Sequence, residues 1–185
     1  MTKLMIASDL HGSYKAAKEL KAIFEKSGAD KLILLGDLLY HGPRNDFPVE
    51  YSPKEVTALL NEMKEDLLCV HGNCDADVDQ MVLNFPITVQ NMLLYLDGKR
   101  VFVAHGDIFN TENPPALSKG DILLHGHTHL PVIEDTGEFY YLNPGSAALP
   151  KGGNPPSYMI YEDGVYTIYD LDGNMINKLD VNKAE

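Results

Sequence analysis

Five short stretches carry histidine and acidic side chains in order along the chain: Asp9-Leu10-His11, Gly36-Asp37, Gly72-Asn73-Cys74-Asp75, His105-Gly106 and Gly126-His127-Thr128-His129. Carboxylate and amide oxygens are hard ligands and imidazole nitrogens are borderline ones. That mixture suits a pair of divalent metal ions, and two metals side by side are a recurring device for hydrolysing phosphate esters. Taken singly the stretches are weak signals. Asp-x-His fits many surface loops, Gly-Asp is common in turns, and His-Gly says little. The ordered set, with each stretch at the end of an apolar run, points to a metal site.

The elements that must position these residues follow from periodicity. Lys3 to Ser8, Lys31 to Leu35 and Leu67 to Val70 read as buried strands. Ser13 to Lys26 reads as a helix with Ala16, Ala17, Leu20, Ile23 and Phe24 on one face and Gly28 past its end. Ser52-Pro53-Lys54-Glu55 has the pattern of a capping box with proline at the first helical position. Val56, Leu59, Leu60 and Met63 follow it at helical spacing. This βαβαβ order predicts a parallel sheet. The second half reads as hairpins and a meander. Asp97-Gly98, Thr136-Gly137, Asp163-Gly164 and Asp172-Gly173 are the turns, and Asp121 to Leu124 is a further apolar run. The expected architecture is α/β, with two mixed sheets packed face to face and helices outside. Every metal-ligand candidate then falls on one rim, beyond the carboxyl ends of the strands.

The bulk properties bound the rest. At 185 residues the chain fits one domain, 1–185, with a sizeable core. A net charge of −12 and the lack of long basic runs argue against stable nucleic-acid binding or an anionic membrane surface. No apolar run approaches spanning length. There are two cysteines, Cys69 and Cys74, and the short loop between them disfavours a disulfide. Leu4-Met5-Ile6-Ala7 is too short for a signal-peptide core. The expectation is a cytoplasmic protein.

The ordered set resembles the calcineurin-like metallophosphoesterase superfamily, whose pattern is D-x-H, G-D, G-N-[HC]-[DE], H and G-H-x-H. His41-Gly42-Pro43-Arg44-Asn45, Asn143-Pro144-Gly145-Ser146 and Pro150-Lys151-Gly152-Gly153-Asn154-Pro155 are similar to segments of the small bacterial phosphodiesterases of the YfcE type. The resemblance implies a four-layer αββα sandwich and hydrolysis of a small phosphodiester. It implies two divalent ions, Mn²⁺ first with Fe²⁺ or Zn²⁺ as alternatives, and a homo-oligomer, dimer or tetramer. It places Asp9, His11, Asp37 and His129 on one metal, and Asp37, Asn73, His105 and His127 on the other, with Asp37 bridging. The implied mechanism is in-line attack on phosphorus by a hydroxide held by both metals. Alternatives are a phosphomonoesterase of the same superfamily and a noncatalytic protein-binding scaffold of the same fold.

Two positions differ from many members of the family. Cys74 stands where many members have a histidine that serves the leaving group, and a thiol is a poorer acid–base match near neutral pH. Asp107 stands where relatives often carry histidine, and it is left out of the ligand set. Asp75 is expected to orient its loop. Arg44 is either a clamp on a non-bridging phosphate oxygen or a loop residue paired to an acidic neighbour. His71 and His125 read as packing or supporting residues. The candidate catalytic set is therefore Asp37, Asn73, Cys74 and Asp75, with Arg44 as the substrate-binding candidate.

Overall fold

In the computed structural model, which describes residues 2–183, three parallel strands carry the first half of the chain. They are β1 (Lys3–Ala7), β2 (Lys31–Leu34) and β3 (Leu67–Cys69), and helices α1 (Tyr14–Ser27) and α2 (Pro53–Glu62) connect them. Ser13 caps α1 by accepting the Ala16 N–H at 3.2 Å. Gly28, in the left-handed region at φ 69°, ends the helix. The expected apolar face of α1 is the buried one, with Ile23 packed at its margin.

At α2 one expectation is corrected. Pro53 does take the first helical position, but Ser52 makes no side-chain capping bond. A capping box also needs Glu55 to reach back to the Ser52 N–H. That N–H already donates to the Gly12 carbonyl at 2.8 Å, so the box has no free donor to close on.

The remainder is built from a short helix α3 (Asp77–Gln80) and eight strands. These are β4 (Asn91–Leu96), β5 (Lys99–Ala104), β6 (Ile122–Leu124), β7 (Pro131–Asp135), β8 (Tyr140–Pro144), β9 (Ser157–Glu162), β10 (Val165–Asp170) and β11 (Met175–Asp180). Asp97 and Gly98 both take positive φ in the β4–β5 turn, as a two-residue hairpin requires. One sheet has six strands in the order β11-β10-β9-β1-β2-β3, and the other has five in the order β4-β5-β6-β8-β7. Both are mixed, because β9 joins β1 antiparallel while β5, β6 and β8 run parallel to one another.

Strand alternation sorts the core into layers. Met5, Ala7, Leu32 and Leu34 face α1 and α2. Leu4, Ile6 and Ile33 point the other way, onto Val101, Val103, Ile122 and Leu124 of the second sheet. This is the expected αββα class, with one difference in detail. The outer face of the five-stranded sheet is covered by the segment 107–120, which contains no helix. Its Phe109 meets Phe102 edge-on, and its Leu117 packs with Leu123, Phe139 and Tyr141.

The Tyr161 hydroxyl donates to the Asp97 carboxylate, tying β9 to the β4–β5 turn across the two sheets. Tyr161→Phe should therefore lower unfolding stability by about 1 kcal/mol in a urea titration, without altering metal affinity. A change in metal affinity would show that the sheet contact reaches the rim.

Candidate metal centre

The parallel strands of both sheets end on one rim, and the hydrogen-bond ladders continue past them into the loops. The Asp9 N–H donates to Gly36 O at 3.2 Å and the His11 N–H to Asp37 O at 2.8 Å. The Gly126 N–H donates to His105 O at 2.8 Å. The loops are thus held in register while their backbones turn sharply. Asp9, His11, Asp37, His127 and His129 all have φ between 47° and 64°, a left-handed conformation that non-glycine residues seldom adopt. Gly36 shows how tight the fit is. A Cβ there would stand 2.5 Å from Gly72 N and 2.6 Å from Gly72 Cα, so only glycine lets the two loops touch.

Three histidines are locked from behind by carbonyls. The Nδ1–H of His11 donates to Tyr40 O at 2.8 Å, that of His105 to Leu35 O at 2.6 Å, and that of His129 to Leu149 O at 2.6 Å. A carbonyl only accepts, so each neutral ring has its proton on Nδ1 and a lone pair on Nε2 aimed inward. His11 Nε2 and His129 Nε2 face each other at 3.2 Å. His127 turns its Nδ1 to within 3.1 Å of His105 Nε2.

The carboxylates complete both groups. Asp9 Oδ2 is satisfied by the Ser8 hydroxyl at 2.6 Å and the His127 N–H at 3.0 Å. Asp9 Oδ1 is buried without any hydrogen-bond partner and lies 3.3 Å from His129 Nε2 and 3.7 Å from His11 Nε2. Asp37 Oδ1 accepts the Cys74 N–H at 2.7 Å. Its other oxygen, Oδ2, stands 3.7 Å from His11 Nε2 and 3.5 Å from His105 Nε2, between the two histidine groups. Asn73 presents Oδ1 at 3.0 Å from His105 Nε2, while its amide nitrogen donates to Cys74 Sγ at 3.2 Å.

These donors fit a cation. Ligand atoms bound to one ion at about 2.1 Å stand roughly 3.0–3.4 Å apart for neighbouring positions, close to the spacings around Asp9 Oδ1. A buried orphan carboxylate oxygen and opposed imidazole lone pairs are unfavourable without a positive charge between them. The charges of the carboxylates are already felt. Burial disfavours the imidazolium of His11, but its contact with Asp9 and the Tyr40 carbonyl outweigh this and raise its pKa above 6.5. His105 is raised too, with burial opposed by the charges of Asp9 and Asp37. His125, stacked on Tyr141, is pulled down to about 4, chiefly by burial, and stays neutral.

Around this centre, Asp75 clamps two turns together. Its carboxylate accepts the N–H groups of Asp37 at 2.9 Å, Leu38 at 2.8 Å and Gly72 at 2.8 Å. Burial still raises its pKa against those three donors. Cys74 Sγ lies in a group with His11 and Asp37. Its thiol is pushed up to about 12, by burial first and then by the Asp37 charge. Arg44 lines the same cavity, of about 720 Å³, and has no carboxylate partner among the described residues. His41 instead packs among Tyr40, Phe47 and Tyr51. Asp107 is exposed and in none of the ligand groups.

Several residues have supporting roles that the sequence alone does not assign, Asn143 and Ser146 of the Asn143-Pro144-Gly145-Ser146 segment among them. Ser8 and Ser146 hold Asp9 from both sides, the latter by donating to its carbonyl at 2.8 Å. Asn143 donates to the carbonyl of Gly126 at 2.8 Å and to Thr128 Oγ1 at 3.0 Å. A serine directly before Asp9 was a readable signal. Tyr40 and Leu149 act through backbone carbonyls and left none.

Comparison with known proteins gives a consistent picture. Residues 2–163 match the family model described as the calcineurin-like phosphoesterase superfamily domain. Over 183 residues the chain is 47% identical to phosphodiesterase YfcE of Escherichia coli K12, covering 98% of this chain and 100% of that protein. A probable metallophosphoesterase of Methanothermobacter thermautotrophicus is 28% identical over 167 residues, covering 86% and 85%. The solved structure of the E. coli phosphoesterase YfcE superposes with a TM-score of 0.95, over 98% of this chain and 100% of that one. Vacuolar protein sorting 29 of Cryptosporidium parvum shares the fold at 17% identity and a TM-score of 0.63, over 97% and 98%.

Divalent metal should stabilise this protein in a pH-dependent way. The raised pKa values of His11 and His105 stabilise the metal-free fold below the unfolded value of 6.5, and that contribution is lost as pH rises through the folded values. Metal must displace those protons, so its affinity falls as pH drops from about 8 to about 6. Metal at about 100 times its Kd should add about 2.7 kcal/mol. Thermal melts at several pH values, with calorimetry in buffers of different ionisation enthalpy, should show a lift that grows with pH and net proton release. A lift independent of pH would contradict this protonation scheme.

Proposed function

The chain belongs to the calcineurin-like phosphoesterase superfamily, and from that premise we propose that it is a metal-dependent phosphodiesterase acting on small substrates. The observation that carries the reading is the placement of Asp37 Oδ2 between two histidine groups, beside an unpartnered Asp9 Oδ1. Asp9, His11, Asp37 and His129 hold one divalent ion in this reading, and Asp37, Asn73, His105 and His127 hold the other. The mixed nitrogen and oxygen set supports Mn²⁺, and Fe²⁺ and Zn²⁺ meet the same ligand chemistry. When bound, the pair of ions supplies charge stabilisation at the phosphoryl oxygens and lowers the pKa of the attacking water.

The protein's own residues set geometry and proton traffic. Asp37 holds the two ligand groups at a fixed separation, and Asp75 fixes Asp37 through the Asp37 and Gly72 N–H groups. Arg44, free of acidic partners among the described residues, supports a clamp on a non-bridging oxygen of the scissile phosphate. Cys74 offers a thiol whose proton is firmly held, a weak acid for the departing alcohol. The leaving group then takes its proton from water, which favours esters of acidic alcohols. The filled set of ligand positions supports an enzyme over a noncatalytic scaffold.

The test is hydrolysis of bis-p-nitrophenyl phosphate beside p-nitrophenyl phosphate, using metal-stripped protein with Mn²⁺ restored. The diester should be the better substrate. Asp37→Asn should cost at least ~10²-fold in kcat, because a neutral amide cannot balance two dications. Preference for the monoester would move the reading to a phosphomonoesterase. Separately, Cys74→His should raise kcat on diesters of poor alcohol leaving groups by ~10-fold or more, as a placed general acid does. The p-nitrophenyl diester should change little. Equal effects on both leaving groups would assign Cys74 to packing.

A further inference from the structure

Two walls of the cavity hang from metal-ligand rings. His11 donates to the carbonyl of Tyr40, which opens the segment 40–45. Within that segment, Gly42 packs against Cys74, so closely that a Cβ at Gly42 would stand 3.1 Å from Sγ. His129 donates to the carbonyl of Leu149, and the Lys151 N–H returns a bond to His129 O at 3.1 Å. The turn after Lys151 is closed by Asn154, whose N–H and side-chain amide both donate to Lys151 O, at 3.2 and 2.8 Å. Gly152 and Gly153 take φ 66° and 75° there. The backbone of Lys151 is therefore fixed relative to His129 by bonds on both its N–H and its carbonyl.

Lys151 lines the cavity with Thr128, His129 and Arg44. It is exposed and pairs with no carboxylate among the described residues, although the chain carries a net charge of −12. Lys26, Lys54, Lys64, Lys99, Lys119 and Lys178 also make no ion pair among the described residues, and what sets Lys151 apart is that it is the one lysine lining this cavity. A cation without an acidic partner, on a turn anchored to His129, adds positive charge to the cavity beside Arg44 and favours an anionic ligand there. An ammonium is a compact point charge that pairs with phosphate oxygens from many directions. The cavity of about 720 Å³ has room for much more than one phosphodiester group.

We propose that Lys151 is a specificity-determining residue that receives a second phosphate group, carried on the alcohol that is retained when the diester is cleaved. The inference rests on the phosphodiesterase reading above. It assigns the second phosphate to the wall that does not hold Cys74, so that the leaving group departs on the Cys74 side.

The test uses two substrates with one leaving group, the p-nitrophenyl ester of thymidine 5′-phosphate and the same compound bearing a 3′-phosphate. With the Mn²⁺-loaded wild-type chain, the 3′-phosphate should raise kcat/KM by ~10-fold at low salt, mainly through KM, and the advantage should shrink with added salt. Lys151→Gln should bring the ratio of the two kcat/KM values close to one, and Lys151→Arg should retain most of it. Calorimetry gives a readout without turnover. Thymidine 3′,5′-bisphosphate should bind wild type more tightly than thymidine 5′-phosphate, and Lys151→Gln should remove that difference. An unchanged ratio in Lys151→Gln overturns the proposal, as does an equal loss on both substrates, which would place the ammonium on the scissile phosphate. Absence of p-nitrophenol from either substrate, with Mn²⁺ shown to be bound, overturns the diesterase reading and this proposal with it.

Discussion

Three backbone carbonyls, those of Tyr40, Leu35 and Leu149, each take the Nδ1 proton of a buried histidine, and the rest of the centre depends on that choice. With the proton committed outward, the Nε2 lone pairs of His11, His105 and His129 face one another, the carboxylates of Asp9 and Asp37, the Asn73 amide oxygen and the His127 ring. Such a concentration of acceptors is unstable by itself. It becomes favourable when positive charge enters, whether as protons on the rings or as cations between them. The fold thus carries a deficit of positive charge, built from groups whose other hydrogen bonds are already satisfied.

Holding that arrangement requires strain, and the surroundings supply the restraint. The left-handed φ values of Asp9, His11, Asp37, His127 and His129 place side chains where an ordinary turn would not. Each is over-determined by the ladder bonds between neighbouring loops, by Asp75 beneath Asp37, and by Ser8 and Ser146 around Asp9. Asp9 itself links the sheets, since it follows β1 of one and accepts the His127 N–H from the end of β6 in the other. Sheet packing and site geometry are therefore one problem, solved by the same contacts.

Much of this was legible in the amino-acid sequence. Strand and helix positions followed from the spacing of residues such as Ala16, Leu20 and Phe24, because burial selects one face of a periodic element. The ligand candidates stood out because five short stretches fell at strand ends. What stayed hidden depends on groups without a side-chain signature. The Tyr40 and Leu149 carbonyls are chemically the same as any others. The capping box at Ser52 failed because a distant carbonyl, that of Gly12, reached the donor first. The irregular cover 107–120 shows that an apolar sheet face needs covering but does not prescribe a helix for it. The isolation of Lys151 from acidic partners among the described residues is a property of the folded surface alone.

The attachment of both cavity walls to His11 and His129, the proposed metal ligands, also bears on how relatives of this chain can diverge. A change that shifts the backbone at 40 or 149 alters the orientation of the His11 or His129 ring, and in the proposed reading the affinity for metal with it. Residues a few positions further on, such as Pro43, Arg44 and Lys151, extend into the cavity beyond those anchor points. Selection for a new substrate therefore has free play at the tips of the two segments and almost none at their roots. Lineages on this scaffold would be expected to keep one hydrolytic core while exchanging the chemistry of the tips, much as a tool keeps its handle and changes its bit.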